Sequence, residues 1–203
     1  MTRIKICGIT NFEDALMVTM LGADSIGFVF APSKRKVNPE LARSIIKHIP
    51  SFITMVGVFM DNDFDEVDKI ADFVPFDVIQ LHGNEPPDYC SRLKKRVIKR
   101  ILVSDSDTRE TLIEKIKMYS NVTYLLDPGT GSGRVFDWTR ARDVDVPVII
   151  AGGLTPDNVK GVVKLLNPYG VDVASGVESA PGKKHREKVE KFIKEVRACS
   201  LPA

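Results

Sequence analysis

A closed (β/α)8 TIM barrel is the α/β fold class that this sequence predicts. Short apolar runs alternate with longer helical patterns through eight unbroken rounds, and the repeat is about 25 residues, the length of one strand-and-helix unit. All eight rounds fit within 203 residues, which suits a closed barrel with few insertions better than an open doubly wound sheet. The GxGxxG turn that would open a dinucleotide-binding sheet is missing after the first strand. The whole chain, 1–203, is expected to form one barrel domain without a linker or low-complexity tract.

The expected strands are RIKIC (3–7), SIGFVF (25–30), FITMVGVF (52–59), DVIQL (77–81), VIKRIL (97–102), TYLLD (123–127), VPVIIA (146–151) and VDVAS (171–175). Helical patterns follow them at 11–21, 39–48, 63–72, 86–95, 107–119, 137–142, 156–166 and 185–197. Several starts are signposted. Asn11 and Asn38 offer capping side chains, and Pro39 and Thr155-Pro156 carry the proline that favours the first helical position.

With 43% hydrophobic and 28% charged residues, the chain can bury a substantial core. A net charge of +2 sets up no field for nucleic acid or an anionic membrane, so neither is expected as a partner. No apolar stretch approaches the roughly 20 residues of a membrane span, and the N-terminus runs directly into a strand pattern. A cytoplasmic protein is expected. Cys7, Cys90 and Cys199 are odd in number and far apart, which is neither a disulfide framework nor a zinc spacing; they read as reduced thiols.

In a barrel of this kind the chemistry sits at the C-terminal strand ends. Two of those ends are glycine-rich: AGGLTPDN after strand seven and ASGVES after strand eight. Small residues let the backbone N–H groups of Gly152, Gly153, Ser175 and Gly176 converge on an anion. Either loop alone is an ordinary turn. Together, at the two adjacent ends where barrels commonly hold phosphate, they point to one phosphate site, with a short helix expected near Val177-Glu178.

Strand parity brings a second pair together. Cys7 ends strand one and Asp127 ends strand six, so both face the mouth from opposite sides. A thiol near 8.5 and a carboxyl near 4 become a base and an acid if the surroundings shift them. An isolated cysteine is often just a small buried hydrophobe, whereas an aspartate ending an apolar strand has little structural reason to be there. Lys5, one layer below Cys7, either favours the thiolate or pairs with interior Asp172. His82 and Gln80 on strand four are further substrate-site candidates, the latter more suited to interior bonding. Lys34-Arg35-Lys36 after strand two reads either as a solvated run or as a fork for a carboxylate over the mouth. GTGSGR (129–134) reads as a lid.

These stretches resemble phosphoribosylanthranilate isomerases, the (β/α)8 enzymes of tryptophan biosynthesis. KICGIT, ADSIGFVF, SKR, VGVF, QLHG, LLD, FDW, AGGL, NPYGVDVASGVE and PGKK match in order from residue 3 to 184. The resemblance implies an Amadori rearrangement of N-(5-phospho-β-D-ribosyl)anthranilate to 1-(2-carboxyphenylamino)-1-deoxyribulose 5-phosphate. It implies Asp127 as general acid, Cys7 as general base, Arg35 on the anthranilate carboxylate, and the four phosphate-site residues on the phosphate. It implies no cofactor and no metal, a small phosphorylated substrate as the partner, and a monomer or homodimer. Ala151 and Ala174 stand where the family often has serine, and Pro128 follows the acid, stiffening the root of the lid.

Competing readings fit less well. An indoleglycerol phosphate synthase would place lysine at the end of strand three and glutamate near the end of strand two, where this chain has Val58-Phe59 and Val29-Phe30. A metal-dependent sugar-phosphate epimerase needs several His and Asp ligands, and only His82 lies at a strand end. A non-catalytic phosphate-binding barrel leaves Cys7 and Asp127 without a purpose.

Overall fold

Side chains alternate across a strand, and here the alternation sorts them into two apolar clusters. In the computed structural model, which describes residues 1–129, 135–142 and 144–199, the strands are β1 (Arg3–Cys7), β2 (Ser25–Val29), β3 (Thr54–Phe59), β4 (Val78–Leu81), β5 (Arg96–Leu102), β6 (Thr123–Asp127), β7 (Val148–Ile150) and β8 (Gly170–Val173). They pair in parallel in chain order, and β8 returns to β1, with Lys5 opposite Asp172. The barrel is closed, as expected.

Inside it lie Cys7, Val56, Val58, Val78, Ile98, Leu125, Ile149 and Ala151. The opposite strand faces carry Ile4, Ile6, Ile79, Leu81, Leu126 and Ile150, which meet the helices. Phe30 stacks on Phe59 at 5.1 Å and meets Phe76 edge-on at 5.6 Å; each such buried ring contributes about 1.5–3 kcal/mol.

The helices are α1 (Phe12–Met20), α2 (Pro39–Ile46), α3 (Phe64–Phe73), α4 (Pro87–Arg92), α5 (Arg109–Lys117), α6 (Val159–Leu166) and α7 (Arg186–Ala198). Asn11 caps α1 by accepting from the Asp14 N–H, and Asn38 caps α2 by accepting from the Leu41 N–H, with Pro39 at the first position.

Three details depart from the expected pattern. The 137–142 segment forms only a 3-10 turn, Trp138–Ala141, whose start is fixed by Asp137 accepting from the Thr139 N–H. Thr155-Pro156 does not start α6: residues 156–158 form a turn in which Asn158 Oδ1 takes the Thr155 N–H, and the helix begins at Val159. Phe52 is not a strand residue but lies in the preceding turn and is 99% exposed. Among the described residues, no helix is long and apolar enough to cross a membrane.

Candidate active site

A cavity of about 290 Å³ opens where the C-terminal strand ends converge. Its lining includes Cys7, Arg35, Gln80, His82, Asp127, Gly152, Gly153, Asp172 and Ser175. Gly176, expected at the phosphate, lies outside that lining. A Cβ on Gly176 would stand 1.9 Å from the Leu154 carbonyl oxygen, so this glycine lets the β7 and β8 loops touch. A second cavity, about 510 Å³, lies at the other end of the barrel around Arg3, Arg96 and Tyr169, away from this chemistry.

Cys7 ends β1 with its side chain in the barrel and is buried. Gly27, its partner on β2, supplies the space: a Cβ there would lie 2.9 Å from Cys7 Sγ and 3.1 Å from Lys5 Nζ. Lys5 Nζ donates to Asp172 Oδ1 at 2.9 Å, with both groups buried. The two alternatives for Lys5 therefore coexist: it pairs with Asp172 and bears on the thiol. Burial pushes Lys5 down, but the charges of Asp172 and Cys7 outweigh that and hold the ammonium above its ordinary value. Burial pushes the Cys7 thiol up; Lys5 opposes this and Asp172 adds to it. Lys5 does not by itself make a thiolate, so Cys7 rests as a thiol at neutral pH.

Gly8 has φ +76°, and a Cβ on it would sit 2.5 Å from Arg35 Cδ. The glycine after the thiol clears the arginine. Arg35 gives Nε and Nη2 to the two oxygens of Glu178, at 2.9 and 2.7 Å, in the two-pronged geometry that fixes a guanidinium plane. Glu178 also receives Lys184 Nζ at 2.8 Å, and the same ammonium donates to the Cys7 carbonyl at 2.6 Å. One carboxylate thus holds two cations beside Cys7, leaving a net positive charge at the mouth.

Glu178 and Lys184 went unassigned at the sequence level, although SGVE and PGKK lie among the family-like stretches. They are brought inward by a hairpin, β9 (Glu178–Ala180) and β10 (Lys183–Lys184), where a helix had been expected near Val177-Glu178. The short helical turn actually spans Ser175–Val177.

Across the mouth, Asp127 Oδ1 accepts from the Gly129 N–H at 2.7 Å. Burial raises its carboxyl to about 6 despite that bond. His82 Nε2 lies 3.9 Å from Asp127 Oδ2, but burial and then Arg100 lower the imidazole to about 3. The ring is neutral at working pH, and the contact is not an ion pair. Gln80 Nε2 lies 3.1 Å from His82 Nδ1; with the amide donating, His82 carries its proton on Nε2, toward Asp127.

At the remaining edge, Gly152 and Gly153 have φ of +84° and +63°, a backbone suited to glycine. Asn158 fixes this loop by donating to the Gly153 carbonyl at 2.9 Å. Among the described residues, no turn or loop hydrogen bond uses the backbone N–H of Gly152, Gly153, Ser175 or Gly176. Of the lid reading, Gly129 lines the cavity, and 130–134 fall outside the described residues. Among the described residues, no three His, Cys, Asp or Glu are grouped as a metal ion would require.

A closed barrel with a thiol and a carboxyl facing each other, and glycine-rich ends on β7 and β8, defines an acid–base barrel enzyme for a small phosphorylated substrate. The comparisons narrow this to one family. Residues 4–195 match the model of N-(5′-phosphoribosyl)anthranilate (PRA) isomerase. The isomerase of Geobacter metallireducens is 45% identical, over 98% of this chain and 100% of its own. The crystal structure of the Thermotoga maritima isomerase is 41% identical, covers 98% of this chain and 100% of its own, and superposes with a TM-score of 0.90. A further solved isomerase, in complex with reduced 1-(o-carboxyphenylamino)-1-deoxyribulose 5-phosphate, gives 40% identity and a TM-score of 0.87, with coverage of 98% and 100%. The chain belongs to the N-(5′-phosphoribosyl)anthranilate isomerase family.

Proposed function

We propose that Cys7 is the general base and Asp127 the general acid of the family's reaction, the Amadori rearrangement of phosphoribosylanthranilate in tryptophan biosynthesis. The observation that carries these roles is the pairing of a buried thiol and a buried, pKa-raised carboxyl on opposite sides of one cavity. Asp127 gives its proton to the ribose ring oxygen. The C1′–O bond breaks, and the nitrogen lone pair forms the C1′=N bond of a Schiff base. The Cys7 thiolate then takes the C2′ proton, the electrons of that C–H bond become the C1′=C2′ bond, and the nitrogen regains its lone pair. The enolamine tautomerises to the ketone as C1′ takes a proton from the Cys7 thiol and the C2′ hydroxyl gives one up to water, from which Asp127 regains its own. Atoms and charge balance without an added redox partner.

Arg35 presents the edge of its guanidinium that Glu178 leaves free to the anthranilate carboxylate. The N–H groups of Gly152, Gly153, Ser175 and Gly176 take the phosphate, and His82 offers its Nε2 proton beside the acid. Because Cys7 rests as a thiol and Asp127 titrates near 6, the productive form pairs the minor state of each group. Its population is constant between the two pKa values, since each pH unit gains a factor of ten in thiolate and loses a factor of ten in acid.

Fluorescence of freshly made substrate follows the turnover. Wild-type protein is expected to abolish the signal rapidly. Cys7→Ala and Asp127→Asn are each expected to lower kcat by about 10²–10⁴ with little change in KM. Turnover near the wild-type value in either variant would overturn that residue's role.

A further inference from the structure

Beneath the mouth, the barrel interior buries the polar side chains of Lys5, Gln80, Arg100 and Asp172. They are unequally satisfied. Lys5 and Asp172 neutralise each other at 2.9 Å, whereas Arg100, only 6% exposed, has a buried Nε with no hydrogen-bond partner among the described residues. Gln80 Oε1 is likewise unpartnered. Among the described residues, Arg100 has no carboxylate within ion-pair distance, while the other buried cations of the barrel are all taken: Lys5 by Asp172, Lys99 by Glu85 and Lys184 by Glu178. Removing a charge from water without a partner is costly, so an unpaired buried arginine marks a place where a negative charge is required at some stage.

Strand register shows where. Ile98 faces the barrel interior, so Arg100, two residues on, faces it too. Arg100 pairs with Leu125 on β6, and Leu102 pairs with Asp127. The guanidinium therefore starts one inward-facing layer below the acid, a step of about 6.6 Å along the strand that an arginine side chain can cross. We propose that Arg100 is a positioning residue for the acid: it is the counter-charge that receives the Asp127 carboxylate formed when the proton passes to the ribose ring oxygen.

This rests on the reading of Asp127 as the acid. The groups that act on Asp127 are Lys5 from β1, His82 at the end of β4, Arg100 from β5, Asp172 from β8, and the Gly129 N–H of its own loop. Asp172 opposes ionisation. His82 cannot supply a charge, because burial and then the same arginine keep it neutral. Lys5 is already held by Asp172. Arg100 remains as the uncommitted cation, and without it burial would leave an acid that holds its proton too firmly to give it up.

Profiles of kcat/KM against pH test this, measured on wild type, Arg100→Met and Arg100→Lys. Arg100→Met is expected to move the lower limb, near 6 in wild type, upward by about one pH unit and to leave the upper limb in place. Arg100→Lys, which keeps the charge, should hold the lower limb close to the wild-type position. A lower limb that stays put in a folded Arg100→Met protein, or both limbs moving together, would overturn the proposal. Should Arg100→Met not fold, Arg100→Gln carries the same expectation. Asp127→Asn separates the two claims: full activity there refutes the acid itself, whereas an inactive Asp127→Asn with an unmoved limb in Arg100→Met refutes only the arginine.

Discussion

The two sides of the barrel mouth are built on opposite plans. On the β1 and β8 side, every charged group beside Cys7 has a partner: Lys5 with Asp172, and Arg35 and Lys184 with Glu178. On the β4 to β6 side, among the described residues, Asp127 accepts one backbone hydrogen bond, from Gly129, His82 is 3.9 Å from it, and Gln80 Oε1 and Arg100 Nε have no partner. The base is held by a finished network before substrate arrives. The acid sits among groups whose bonding is incomplete, beside a loop that begins at Gly129. Both groups change charge in the reaction, and charges placed in advance cost no reorganisation at that moment: beside the base they are already paired, and beside the acid Arg100 stands ready for the carboxylate.

That contrast can be broken most severely on the finished side. Lys5→Met leaves Asp172 as an unpaired buried charge, with an expected loss of about 3–5 kcal/mol in unfolding free energy, readable by denaturant titration. Adding Asp172→Asn should restore much of the stability. It should not restore thiol reactivity, because the cation that opposes the burial of Cys7 is still missing; alkylation rate against pH would show this.

The acid side should respond in the reverse sense. The folded-state pKa of Asp127 is raised from 3.8 to about 6, so the folded protein binds this proton more tightly than the unfolded chain does. Stability from this group is full below pH 4 and falls as pH rises through 6, by about 3 kcal/mol. Asp127→Asn should therefore unfold at a higher temperature than wild type at pH 8 while losing turnover. A lower melting temperature there would contradict a burial-driven shift. The smallest break is Gly27→Ala, whose Cβ would meet Cys7 Sγ at 2.9 Å and Lys5 Nζ at 3.1 Å. Overpacking of this kind costs about 1–3 kcal/mol, and the loss of kcat should exceed any rise in KM.

Much of this was legible in the sequence because it depends on period. Eight rounds of strand and helix predicted the closed barrel, parity put Cys7 and Asp127 on one mouth, and glycine pairs marked the ends of β7 and β8. What stayed hidden depends on contacts between distant segments. Nothing local marks Gly8 as the residue that clears Arg35. Val177-Glu178 looked like the start of a helix, and Lys184 carried no signal, because nothing local shows that Pro181-Gly182 turns the chain into a hairpin, with Gly182 at φ +80°. Arg100 carries no signal within the strand VIKRIL, since its lack of a partner among the described residues is a property of the closed interior alone. Neither alternative for Lys5 carried the size of the burial effect: Lys5 pairs with Asp172 and does favour the thiolate, but desolvation outweighs it.

The pH dependence of kcat/KM tests the central claim most directly, because it reports the free enzyme's acid and base together. A thiol base held high and a carboxyl acid near 6 predict a rate that rises tenfold per unit up to about pH 6, stays level, and falls only above the ordinary thiol value of 9.0. A rate that climbs without a break through pH 6, or falls before pH 8, would contradict the assignment of Asp127 and Cys7 as the reacting pair.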